Sequence, residues 1–140
     1  MSHCHYHALS SVRRWGGVPG DYIALHQWFD ESKKILADPR HRALRHHAEG
    51  IFMLETVFGV TITNSDHRDV PVRLIGEMHV TEDLGRIPSF ADWARLIQPM
   101  PWILRGNPSG SPGLNPILRR NASRHAQSSL GEPGFAISQK

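Results

Sequence analysis

At 140 residues, with 16 Lys/Arg, 13 Asp/Glu and one cysteine, the chain is long enough for one ordinary domain and too short for two, and it cannot form an internal disulfide. Its formal +3 is unevenly spread: residues 1–104 hold 11 Lys/Arg against 12 Asp/Glu (−1), and residues 105–140 hold 5 against 1 (+4). A basic face on the folded body, the usual mark of a nucleic-acid binder, is therefore not expected, and any such contact falls to the C-terminal end. The sequence has neither a run of about 18 apolar residues nor a signal-peptide core, and the lone Cys4 fits a reducing compartment; a soluble, cytoplasmic protein without a membrane partner is expected.

A first amphipathic helix is predicted from about His5 to Trp15, closed by Gly16-Gly17. A second follows Pro19-Gly20, because Tyr22, Leu25, Phe29, Ser32 and Leu36 recur at spacings of three and four; His26 and Asp30 flank that stripe one turn apart. Asp38 as N-cap, Pro39 at the first helical position and Gly59 beyond the end predict one long helix over residues 39–58. On its wheel Leu44, Ala48, Ile51, Glu55 and Phe58 share a face with His47 at the edge, while His46, Gly50, Met53 and Val57 lie opposite. A helix apolar on most sides is expected to be central.

Val60 to Thr63 has β-branched strand character, residues 64–69 are turn-forming, and Val70 to Val72 can pair back as a small hairpin. A fourth helix is predicted from near Pro71 to Leu84, stopped by Gly85, with Val72, Ile75, Gly76, His79 and Asp83 on one face. Ser89 and Asp92 have the spacing of a capping box and open a fifth helix anchored by Trp93, Leu96 and Ile97. From about Arg105, Pro, Gly, Ser and Arg replace periodic apolar residues, so residues 105–140 are expected to form a flexible tail, in which Leu114, Ile117 and Leu118 could make a short docking motif. The expected architecture is mainly α: a small bundle of about five helices over residues 1–104, a minor β-hairpin and that C-terminal tail.

Ten histidines bend the functional reading toward a site, since imidazole ligates transition metals and carries protons near neutral pH. A metal site needs three or four N, O or S donors converging within about 2.0–2.3 Å of one ion. His79 and Asp83, at i and i+4, meet on one helix face, and His7 from the first helix and His47 from the third complete the economical set. The expected cofactor is a divalent transition metal, zinc first, with iron or manganese as alternatives. The metal would activate a water for hydrolysis, and His46 would be the spare imidazole that accepts its proton. None of the His-Glu-x-x-His, Cys-x-x-Cys or Glu-x-x-His signatures is present, and a helical His/Asp pair at this spacing is also the pattern of an ordinary hydrogen-bonded pair.

A second class of function stays open: a non-enzymatic binding or interaction protein. Arg40, Arg42 and Arg45 with His41 and His46 could hold a small-molecule phosphate at a helix N-terminus, and the basic tail could hold nucleic acid or a protein partner. Asp38 and Glu49 beside those arginines favour a solvated, charge-balanced face over the phosphate contact.

The runs Trp15-Gly16-Gly17, Asp21-Tyr22, His26 through Lys33, Arg40 through Phe52, and Glu77-Met78-His79-Val80 with Asp83 through Pro88 resemble an uncharacterised family of short, histidine-rich bacterial and phage proteins, a domain of unknown function. The resemblance covers residues 7 to about 102. It implies domain limits and no activity.

Overall fold

The computed structural model describes residues 3–106. The chain falls into two units, Met1–Ile97 and Gln98–Lys140. In the second, residues 101–106 form turns, with the Ile103 amide donating to the Met100 carbonyl. The expectations for residues 107–140, including Leu114, Ile117 and Leu118, lie outside the described residues.

The first unit is mainly helical: α1 (Cys4–Trp15), α2 (Ile23–Asp30), α3 (Ala48–Phe58), α4 (Val72–Leu84) and α5 (Phe90–Ala94), with 3₁₀ turns at Pro19–Asp21, Glu31–Lys34 and Pro39–Leu44. The expected hairpin is present as two antiparallel strands, β1 (Thr61–Thr63) and β2 (Asp69–Pro71), with Ile62 opposite Val70. None of the described helices is long and apolar enough to cross a membrane.

Apolar periodicity decides which helix faces meet. Ala8 from α1, Leu25 and Phe29 from α2, Ile51 and Leu54 from α3, and Val72, Ile75 and Val80 from α4 form one buried core with Tyr22 and Val70. Gly76 marks the closest approach: a Cβ there would stand 3.2–3.3 Å from Ile51, Leu54 and Phe29 side chains, so glycine lets α4 sit down on both neighbours. The hairpin is tied to the end of α1 by buried Asn64, whose amide nitrogen donates to the Trp15 carbonyl (3.0 Å) and the Tyr22 hydroxyl (3.1 Å).

The predicted helix over 39–58 is two elements. Asp38 caps the first as expected, accepting from the Arg40 amide, but the segment is a 3₁₀ turn that stops at Leu44. His47 then has an extended backbone (φ −159°, ψ 169°) and becomes the N-cap of α3, its Nδ1 accepting from the Gly50 amide at 2.9 Å. Gly50 is what permits so tight a return, since a Cβ there would fall 1.9 Å from the Arg45 carbonyl oxygen. The expected central helix is corrected in consequence. α3 buries only Gly50, Ile51 and Leu54, and leaves Phe52, Met53 and Val57 exposed.

The Ser89–Asp92 capping box forms as predicted, but α5 ends at Ala94, and Leu96 and Ile97 are exposed rather than anchoring. What holds α5 is polar. The Ala48 amide donates to the Pro88 carbonyl, the Phe90 amide to Glu49, and the Trp93 indole N–H to the carbonyl of His46 at 3.1 Å. The short fifth helix thus fixes the turn that carries His46.

Candidate metal centre

Among the described residues, six histidines are buried: His7 on α1, His26 on α2, His41 in the 3₁₀ turn, His46 and His47 in the break before α3, and His79 on α4. His7, His46 and His79 face Asp83, one helical turn beyond His79, and His26 lies against His79. Phe29 seals the cluster against the apolar core, stacked on the His79 ring at 4.6 Å and edge-on to His46 at 5.4 Å.

The geometry centres on three atoms. His46 Nε2 lies 3.0 Å from Asp83 Oδ2 and 3.2 Å from His79 Nε2, and His79 Nε2 lies 3.5 Å from the same carboxylate oxygen. Ligands about 2.0–2.2 Å from a tetrahedral ion are separated by about 3.3–3.6 Å, so this triangle has nearly the spacing of one face of such a site. Asp30, at the end of α2, joins it: a donor atom from each of Asp30, His46, His79 and Asp83 lies within 4.8 Å of the others. These four residues could hold a metal ion.

His7 approaches from the other side. Its Nδ1–H donates to Glu82 Oε2 at 2.5 Å, which turns Nε2 toward Asp83 Oδ1 at 3.3 Å, where no hydrogen bond satisfies it. A lone pair facing a carboxylate oxygen is stabilised only by a cation between them, whether a proton or a metal ion. Two further buried polar atoms lack partners, His46 Nδ1 and Arg42 Nε. Unpaired buried polar atoms are costly and call for an explanation.

Charge follows from the same packing. Burial alone would raise the Asp83 carboxyl, but the His46, His7 and His79 imidazoles around it outweigh that and hold the group below the usual carboxylate range. Burial pushes the His79 imidazole down to about 4 against the pull of Asp83, and pushes His26 down to about 2 with the help of neighbouring His79 and His7. His7 is the exception: burial lowers it, but Asp83 and Glu82 together raise it above the ordinary imidazole value. His41 is lowered, mainly by burial and then by His46, and donates from Nδ1 to Ser32 Oγ at 2.7 Å.

Of the residues that the sequence singles out, His7, His46, His79 and Asp83 are brought together. His47 is not: Nδ1 caps α3 and Nε2 donates to the Leu44 carbonyl at 3.1 Å, so both ring nitrogens are engaged outside the cluster. The helix break explains the exchange, because an extended residue at 47 turns the preceding imidazole inward and leaves His47 at the helix entrance. The arginines expected to face a phosphate have internal partners. Arg40 pairs with Asp38, Arg42 lies 3.7 Å from Asp83, and Arg45 pairs with Glu31 while lying over the Trp28 ring.

Asp30, His26 and Glu82 are functional candidates that sequence reasoning does not reach. The available signals are local: Asp30 follows His26 by one turn of α2, and Glu82 precedes Asp83 on α4.

Fold and site together define a small, mainly helical domain built around a buried histidine–carboxylate cluster. The chain belongs to the family described as Domain of unknown function (DUF6915), whose model matches residues 2–103. No curated protein and no solved structure matches it.

Proposed function

We propose that this protein binds one divalent transition metal ion through His46 Nε2, His79 Nε2, Asp83 and Asp30, with His7 Nε2 as a further donor. The observation that carries this reading is the convergence of two imidazole Nε2 atoms and a carboxylate oxygen within 3.0–3.5 Å in a water-excluded interior. An ion at their centre replaces the single proton that these atoms can otherwise share, and it offsets the burial of the Asp83 charge. A set of imidazole and carboxylate donors without thiolate suits zinc, iron(II) or manganese(II), and the near-tetrahedral spacing places zinc first.

In this reading His46 is a ligand and not the proton acceptor of a hydrolytic centre. A catalytic metal keeps a position open to water and substrate. His46 and His79 are fully buried, and they line neither the surface groove of about 380 Å³ beside Glu82 nor that of about 420 Å³ beside Ser32. A closed, structural site is therefore favoured.

Elemental analysis of untagged protein tests the proposal. About one equivalent of metal is expected, lost in His79→Ala and on prolonged chelation, and removal should lower the melting temperature. Protein that is metal-free as purified, takes up no zinc, and melts unchanged with a chelator would sink it.

A further inference from the structure

Beyond the atoms able to touch an ion, a buried hydrogen-bonded chain runs away from the centre. His79 Nδ1 lies 3.0 Å from His26 Nδ1, His26 Nε2 lies 2.9 Å from Ser11 Oγ, and Ser11 Oγ lies 3.2 Å from the His7 carbonyl oxygen. His26, Ser11 and His79 are completely buried, so no bulk water competes for these bonds. We propose that His26 and Ser11 are positioning residues of the metal centre: they hold the His79 imidazole in the tautomer that presents a bare Nε2 to the ion, without touching the ion themselves. The proposal rests on the metal reading above.

The direction of the chain follows from donor counting. A carbonyl oxygen has no proton to give, so the single Ser11 hydroxyl proton goes to His7 and the hydroxyl oxygen accepts from His26 Nε2–H. A neutral His26 protonated at Nε2 is bare at Nδ1, and therefore accepts from His79 Nδ1–H. His79 is then bare at Nε2, the atom that faces His46 and Asp83. Reversing the chain would turn the Ser11 proton away from the His7 carbonyl and put a proton on His79 Nε2, in the place of the ion. The ring planes support the same arrangement, since His26 is stacked beside His79 at 5.2 Å and beside His7 at 5.5 Å, which limits rotation of all three. One helix serves both purposes: His7 and Ser11 are a turn apart on α1, so the helix that offers a donor also anchors the chain.

The test uses the full chain and zinc as the probe. His26→Leu removes the acceptor at similar bulk, whereas His26→Gln can keep an amide oxygen toward His79 and an amide N–H toward Ser11. Loss of a partner that orients a ligand typically costs 10–100-fold in metal affinity, so His26→Leu should weaken zinc by about that factor. Gln should restore most of the loss, and Ser11→Ala should fall between them. ¹⁵N shifts of the imidazoles in metal-free wild type should report His79 protonated at Nδ1 and His26 at Nε2, a readout that a purely packing role would not move. Wild-type zinc affinity in His26→Leu, equal losses in the Leu and Gln variants, or a His79 proton on Nε2 would overturn the proposal. A wild-type chain that takes up no zinc counts against the metal reading itself, and the tautomer of His79, read without metal, then decides the hydrogen-bonded chain separately.

Discussion

Two polar regions of this small domain are built on opposite terms. Around the hairpin turn, Asn64 donates to Trp15 and Tyr22 while its Oδ1 accepts from the amides of Asp66 and Arg68, and Asp21 accepts from the amides of Val18 and Ser65 and from the Ser65 hydroxyl. Each of these protons has an acceptor. Around Asp83, by contrast, buried His7 Nε2 faces Oδ1 without a hydrogen-bond partner, and the Nε2 atoms of His46 and His79 both face Oδ2. The first region is a staple that is complete as it stands. The second could hold a cation, the species that nitrogen and carboxylate lone pairs favour.

The sharpest way to break the comparison is at Asp83. Replacing it with alanine leaves His7, His46 and Arg42 without their common counter-charge, and a loss of about 3–5 kcal/mol is expected, measured by urea unfolding. On the proposed metal reading, the variant should also retain no zinc. Asn64→Ala should cost about 2–3 kcal/mol, because it leaves buried groups at the end of α1 unpaired. Its cost should be the same with zinc or with a chelator, and a cost that depends on metal would show that the two regions are coupled.

His47→Ala separates helix capping from ligation. A loss of about 1 kcal/mol is expected from the missing cap, with the metal content of the protein unchanged; loss of the metal would place His47 back among the ligands. The smallest effect concerns pH and belongs to the staple. Hydrogen bonds from the Ser65 and Val18 amides hold the Asp21 carboxyl below its ordinary value of 3.8. A carboxyl depressed on folding contributes stability that is complete above its unfolded pKa and is lost as pH falls through its folded pKa. Asp21→Asn should therefore remove part of the acid sensitivity below about pH 4 and change little near neutrality, as read from melting temperature against pH.

Local signals account for much of the architecture. The three-and-four spacing of Tyr22, Leu25 and Phe29 marks the buried face of α2, the Ser89–Asp92 box opens α5, and Gly85 with φ 72° stops α4. His79 and Asp83 are legible as neighbours because one helix carries both, and the rise of the helix fixes their distance. Each of these depends on groups within a few residues of one another, so the amino-acid sequence by itself determines them.

The choice between His46 and His47 does not have that character. Read along the chain, Asp38-Pro39 to Gly59 is one helix, with neither glycine nor proline near Arg45 to stop it. The break is held from outside: Trp93 grips the His46 carbonyl, Arg45 is held by Trp28 and Glu31, and Gly50 yields its Cβ space to the Arg45 carbonyl. Asp30, His26 and Glu82 likewise gain their meaning only when α1, α2 and α4 pack, because groups 33 to 75 residues apart are brought within 2.5–3.2 Å by tertiary contact and not by spacing. The sequence alone determined α1, the buried face of α2, α4, the start of α5 and one His/Asp pair of the site. Only the tertiary structure decided which lone pairs share a point in space, since that depends on how closely whole helices approach.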